Sequence, residues 1–148
     1  MNYSKEPRGI RNNNPLNIRQ NPANNWQGLK KEQTDKQFCQ FKEMKWGLRA
    51  AFLIMMNYRK NGLLTARQII KRWAPPSENN TKGYINSVAM FLPVDVELRT
   101  YDDYFRLMDA MAWVETGRRL PNQVFDETME LIARELSSIA VDEISEKA

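Results

Sequence analysis

Residues 100–117 read TYDDYFRLMDAMAWVETG, and their spacing sets the helical character of the chain. Tyr104, Leu107, Met108, Met111 and Ala112 recur every three or four residues, which places them on one face of an α-helix. Thr100 is suited to cap the start, and Asp102 and Asp103 fall in the first turn, where the helix dipole favours acids. Gly117 is suited to close the end. Glu115 lies four residues after Met111 and seven after Met108, so it shares the apolar stripe. Glu is almost never fully buried unless paired. Desolvation and the negative helix end both disfavour its ionised form, so both raise its pKa. A carboxyl kept protonated near neutral pH can act as the general acid that protonates a glycosidic oxygen. The competing expectation is that Glu115 pairs with Arg118 or Arg119 at the helix end.

Other helices flank this one. Met44, Leu48, Ala51, Phe52, Met55 and Tyr58 share a face, and Asn61-Gly62 ends that helix. Thr65 is placed to cap a short helix carrying Ala66, Ile69, Ile70 and Trp73, stopped at Pro75-Pro76. Thr81 is placed to cap a third, with Tyr84, Ile85, Val88, Ala89 and Leu92 on one side. Pro121 fits the first position of a last helix with Phe125, Met129, Ile132 and Leu136 inward. Residues 138–148 turn more polar and are expected to fray. Residues 1–42 predict irregular structure, with Leu16-Asn17-Ile18 and Phe38–Phe41 as short strands able to pair. The expectation is one domain over 1–148, with its core in 8–137. The fold class is mainly α (α+β), about five helices with a small N-terminal β or irregular lobe.

Composition narrows the chemistry. A chain of 148 residues can bury one core. His 0 removes Ser-His-Asp and Cys-His catalysis and every imidazole zinc site. Cys39 alone supports neither a disulfide framework nor a four-thiolate metal site. Acid–base chemistry must therefore come from carboxylates, Lys or Tyr, and no metal or organic cofactor is implied. The net charge of +4 favours a polyanionic partner such as nucleic acid, anionic lipid or cell wall, although no long Lys/Arg block concentrates it. Residues 1–8 lack the apolar core of a signal peptide, and the run Ala50–Met56 is far short of the ~20 residues that span a bilayer. The expectation is synthesis in the cytoplasm and no membrane insertion.

Two further constellations suit a polar polymer. In Arg72–Thr81, with Tyr84 one turn on, Trp73 and Tyr84 could offer flat faces to sugar rings and Asn79 and Asn80 amide donors and acceptors. The bland alternative is a capped turn with a core Trp, in which Glu78 and Asn80 serve as caps. In Arg8–Arg19, followed by Trp26-Gln27-Gly28, Asn13 and Asn14 could bind hydroxyls, or the segment could be only surface turns.

The blocks Arg8–Pro15, Trp26–Gly28, Phe38–Phe41, Gly47–Ala50, Arg72–Thr81 with Tyr84, and Val114–Gly117 together resemble a family of small phage and prophage proteins. These are virion structural proteins or lysozyme-like peptidoglycan hydrolases, and the likeness covers roughly residues 8–120. More distantly, the chain is similar to glucosaminidases and lytic transglycosylases of the lysozyme superfamily. In those enzymes the catalytic Glu at a helix end comes first, and an Asn-Asn turn, a small β lobe and a Tyr-bearing helix follow. Here Asn13-Asn14, Phe38–Phe41 and Tyr84 keep that order and Glu115-Thr116-Gly117 comes last, similar to a circular permutation. Thr116 stands where the family usually has Asn, and Leu92–Val96 lacks an expected Gly.

The resemblance implies a lysozyme-like domain that cleaves the β-1,4 bond of peptidoglycan glycan strands, with Glu115 as general acid and then base. Glu78 is the first candidate for a second carboxylate and Asp35 the next; a lytic transglycosylase needs only one acid. Substrate contacts fall to Asn13, Asn14, Trp73, Asn79, Asn80 and Tyr84. The place of action is the cell wall, reached through the phage particle or lysis machinery, and other phage proteins are a further class of partner. One rival is a non-catalytic phage structural or cell-wall-binding protein. Another is nucleic-acid binding through Arg11, Arg19, Lys30 and Lys31, which predicts a single basic face and steep salt dependence; the expectation is no nucleic-acid partner.

Overall fold

The computed structural model describes the backbone of residues 6–147 and the side chains of residues 6–135. Six helices follow in order: α1 (Arg8–Arg11), α2 (Met44–Lys60), α3 (Ala66–Trp73), α4 (Thr81–Ala89), α5 (Tyr101–Thr116) and α6 (Asn122–Lys147). The fold is mainly α, as the periodicity predicts.

Helix α5 is the central element and packs against α1, α2 and α4. Tyr104, Leu107, Met108, Met111 and Ala112 are all buried, so the stripe in the sequence is the core-facing face. Thr100 caps α5 in a reciprocal box with Asp103, and Gly117 closes it at φ 72. Helix α2 carries Leu48, Ala51, Phe52 and Met55 into the same core and lies against α6, where Arg49 Nε donates to Glu135 at 2.7 Å. The Phe52 ring meets Tyr104 and Phe105 edge-on, both at 6.1 Å between centroids. Asn61 and Gly62 end α2, with Gly62 at φ 84.

Several boundaries differ from expectation. Asn80, not Thr81, caps α4, accepting from Gly83 N, while the Thr81 hydroxyl donates to Ala74 O. Helix α6 begins one residue after Pro121. Ala89 is exposed, because α4 ends there and the chain turns away. Leu136 and the expected frayed stretch 138–148 lie outside the described side chains.

Residues 8–42 form the lobe. It opens with a helical turn that the sequence reading missed, because one turn has too few residues to show a period. Pro7 O accepts from Ile10 N and Arg11 N, both at 3.0 Å. The expected strands reduce to two isolated antiparallel bridges, Arg19↔Phe38 and Leu29↔Phe41. Asn17 sits at φ 53, which breaks the extended run Leu16-Asn17-Ile18. Side chains hold the rest of the lobe. Asn14, fully buried, donates to Ile18 O at 3.0 Å and Cys39 O at 2.9 Å and accepts from Ile18 N at 2.9 Å. Two glycines let this lobe close on the helices. A Cβ on Gly47 would lie 2.3 Å from Asn13 O, and one on Gly9 would lie 3.1 Å from Thr116 Cγ2.

Candidate active site

Glu115 is the penultimate residue of α5, on the turn where the stripe of Met108 and Met111 reaches the edge of the core. Asn17 Nδ2 donates to its Oε1 at 2.9 Å, and the Tyr84 hydroxyl donates to its Oε2 at 3.0 Å. The three residues come from the lobe, α5 and α4, and the folding of all three assembles the cluster. Burial pushes the Glu115 carboxyl above its ordinary pKa, while the hydrogen bonds from Asn17 and Tyr84 pull it part of the way back. Burial, reinforced by the facing Glu115, holds the Tyr84 phenol well above its usual value, so Tyr84 stays a donor. A carboxylate has about four lone-pair sites. Two are occupied here, which leaves room for a transferable proton.

The expected pairing of Glu115 with an arginine is absent among the described residues. Arg119 Nη2 instead donates to Asp109 Oδ2 at 3.0 Å, and Arg118 N donates to the Thr116 hydroxyl at 3.1 Å. Thr116 itself is buried and donates to Ala112 O, so it finishes the helix and faces Gly9.

Two open grooves flank the cluster. One, of ≈ 430 Å³, is lined by Asn79, Asn80, Gly83, Tyr84, Ser87, Val114 and Glu115. The other, of ≈ 350 Å³, runs past Asn17, Asn21, Tyr58 and Trp73. Glu115 lines the first and Asn17 the second, and the hydrogen bond between them links the two walls. Among the described residues, Glu115 is the only carboxyl lining either groove.

The expected substrate contacts divide. Asn79 and Asn80 line the first groove, although Asn80 also caps α4. Trp73 lines the second, half-buried, with its Nε1 donating to Leu16 O at 3.1 Å and its ring edge-on to Tyr58 at 6.2 Å. Tyr84 offers its hydroxyl and not its face, because its ring is buried. Asn13 and Asn14 line neither groove: Asn13 Nδ2 donates to Phe41 O at 3.1 Å and Asn14 is the buried brace of the lobe. Glu78 is exposed on the turn after α3, neither lining a groove nor capping a helix. Asp35 is committed to the lobe. Arg8 donates to both its oxygens at 2.6 Å and Asn12 at 3.0 Å, and the guanidinium hydrogen bond holds the carboxyl far below its usual range. Neither Glu78 nor Asp35 is placed as a second acid.

Asn17 is the site residue the sequence reading did not single out. Its signal was the Asn-rich turn itself, since Asn tolerates the left-handed conformation found here. Among the described residues, no group of three His, Cys, Asp or Glu side chains could hold a metal ion, and no helix is long and apolar enough to cross a membrane.

No family model matches the chain. Protein P5 of Pseudoalteromonas phage PM2 is 39% identical to it over 114 residues, covering 74% of this chain and 71% of P5. The chain belongs to the P5 family. The phage part of the resemblance drawn from the sequence agrees with that membership. The Asn17, Tyr84 and Glu115 cluster is thus carried by a member of a phage protein family.

Proposed function

We propose that this P5-family protein cleaves the β-1,4 glycan of peptidoglycan by a single-acid route, on a lysozyme-like and circularly permuted arrangement. The supporting observation is Glu115, partly buried at a helix end, without a cationic partner among the described residues, lining one groove and hydrogen-bonded to Asn17, which lines the other. A glycan strand laid along both grooves has its scissile bond over Glu115. The Glu115 proton passes to the glycosidic oxygen as the bond to the sugar C1 breaks, releasing the next sugar as an alcohol. The muramic 6-hydroxyl then attacks C1, and its proton returns to the Glu115 carboxylate, leaving a 1,6-anhydro end. Inverting and retaining hydrolases need a second positioned carboxyl, and among the described residues no other carboxyl lines either groove. Asn17 and Tyr84 orient the acid.

A second reading rests on the comparison. The relative is a phage protein whose name carries no activity, and a non-catalytic phage structural or cell-wall-binding protein would use the same grooves to hold glycan. One experiment separates the two. Purified peptidoglycan is digested with the full chain and with Glu115→Gln, and the products are sorted into anhydro and reducing ends. The single-acid reading expects anhydro ends, and a fall of at least ~10²-fold in the variant. Binding without any product supports the second reading. A Glu115→Gln protein that cleaves as fast as the parent overturns the catalytic assignment.

A further inference from the structure

We propose that the hollow between α3 and α4 binds the free carboxylates of the peptide stem that muramic acid carries in peptidoglycan, an inference that rests on the glycan-cleaving reading above. The hollow holds ≈ 520 Å³, more than either groove beside Glu115. Arg67 and Lys71, one turn apart on α3, line one side, and Lys82, Ile85 and Asn86 of α4 line the other.

The charges in it do not cancel. Arg67 is already committed: its Nε and Nη2 donate to the two oxygens of Asp95, at 2.6 and 3.1 Å. Asp95 also feels the charge of Lys71. Lys71 and Lys82 are exposed, and among the described residues neither forms an ion pair. Three cations against one carboxylate leave a positive surplus. Glu78, on the turn before α4, does not line the hollow, and counting it still leaves the balance positive. A concave surface with an unmatched charge of one sign draws ligands of the other. Pro76 and Ile85 add apolar wall beside the lysines. A peptide stem interleaves carboxylates with short aliphatic carbons, so it meets both. A phosphodiester polymer would satisfy the lysines and leave the apolar wall uncovered.

Position adds the link to the glycan. Helix α4 divides the hollow from the groove of Glu115. Lys82, Ile85 and Asn86 line the hollow, and Gly83, Tyr84 and Ser87, on the neighbouring face, line the groove. Asn79 and Asn80, on the turn that leads into α4, line both. A branch leaving a strand in that groove would cross these two amides and reach the lysines.

The test measures binding of the Glu115→Gln chain, which leaves the wall uncut, to two forms of insoluble peptidoglycan: native, and with its free carboxyls converted to amides. The native wall is expected to bind about tenfold more tightly, the combined effect of two exposed ion pairs. Lys71→Gln with Lys82→Gln, added to the same chain, should abolish that preference. Lys30→Gln with Lys31→Gln makes the same change of net charge in the lobe and should keep it. Cleavage by the chain with its native Glu115 is scored in parallel. A preference that needs Lys71 and Lys82, in a chain that cuts no glycan, supports the hollow and removes the catalytic reading. Cleavage with equal binding to the two walls, or with a preference that survives the loss of both lysines, overturns the hollow alone. Equal loss in the lobe pair also overturns it, because net charge would then explain the binding. Binding to a DNA duplex that depends on Lys71 and Lys82, with no preference between the walls, overturns it in favour of a phosphate polymer. Neither binding nor cleavage overturns both readings.

Discussion

In the lobe, Asn12 and Asn14 are buried beside Leu16, Ile18 and Phe41, whereas the interior of α5 is Leu107, Met108 and Met111. The lobe is ordered by side chains bonding to backbone: Asn13 and Asn14 as described, and Gln33 donating to Gln40 O at 2.8 Å. Those bonds are directional, so each residue fixes a path. The helices are ordered by apolar burial, which is roughly proportional to area and tolerant of small shifts. The site sits where the two meet, with Asn17 from one and Glu115 and Tyr84 from the other. Its acid is partly buried by the helical region and aimed by the lobe.

The largest effect is expected where the two regions touch. A Cβ on Gly47 would lie 2.3 Å from Asn13 O, a backbone atom that cannot swing away. Gly47→Ala should cost about 3 kcal/mol, at the upper end for overpacking. At this chain length that lowers the melting temperature by roughly 10 °C. An unchanged melting temperature would show that the lobe rides loosely on α2.

Next come two carboxyls with opposite pH signs. Asp35 in the lobe has a folded pKa below its unfolded value of ~3.9, so its stabilisation is present above about pH 4 and is lost as pH falls through the folded value. Glu115 has a folded pKa above its unfolded value of ~4.3, so it weakens the fold as pH rises from there through the folded value. Asp35→Asn should therefore lower the melting temperature at pH 7 and leave the curve flatter below pH 4. Glu115→Gln should hold or raise it at pH 7, with the gain vanishing near pH 4. The Gln carbonyl can accept from Asn17 while its amide donates to the Tyr84 oxygen. Melting curves of both variants across pH that move the same way would break the contrast between the regions.

The contrast also explains what the sequence could show. Glu115 is legible because a helix repeats: its offset from Met111 and Met108 puts it on the stripe before any coordinates are known. The caps at Thr65 and Thr100 are legible for the same local reason, and both form reciprocal boxes. The lobe has no period. Leu16-Asn17-Ile18 alternates like a strand, yet Asn17 takes φ 53, and that turn carries its amide to a residue 98 positions away. Nothing local distinguishes Asn17, which touches the acid, from Asn13, which shares its φ and bonds to Phe41 O.

Asn17 gives a smaller test, confined to pH. Asn17→Gly keeps the left-handed backbone, which Gly adopts freely, and removes the donor that lowers the Glu115 pKa. The alkaline limb of the pH–rate profile should move upward, because the acid stays protonated to higher pH. Tyr84→Phe removes the other donor and should move it the same way. A limb that stays in place in both variants would mean that burial alone sets the acid.

The smallest effect belongs to the far end of α5. Thr100 accepts from Asp103 N at 3.1 Å, and Asp103 accepts from Thr100 N at 3.1 Å. Thr100→Ala removes one half of that box and should cost about 1 kcal/mol. This corresponds to a fall of roughly 2–4 °C in melting temperature. Fifteen residues at ~1.5 Å each put Thr100 about 22 Å from Glu115 along the axis. The helix between them is locked by buried Leu107, Met108 and Met111, so fraying at Thr100 stops before it reaches the acid. The pH–rate profile of Thr100→Ala should then overlay that of the parent, unlike that of Asn17→Gly. A shifted profile would mean that α5 moves as a rigid rod and that the lobe does not hold its end in place.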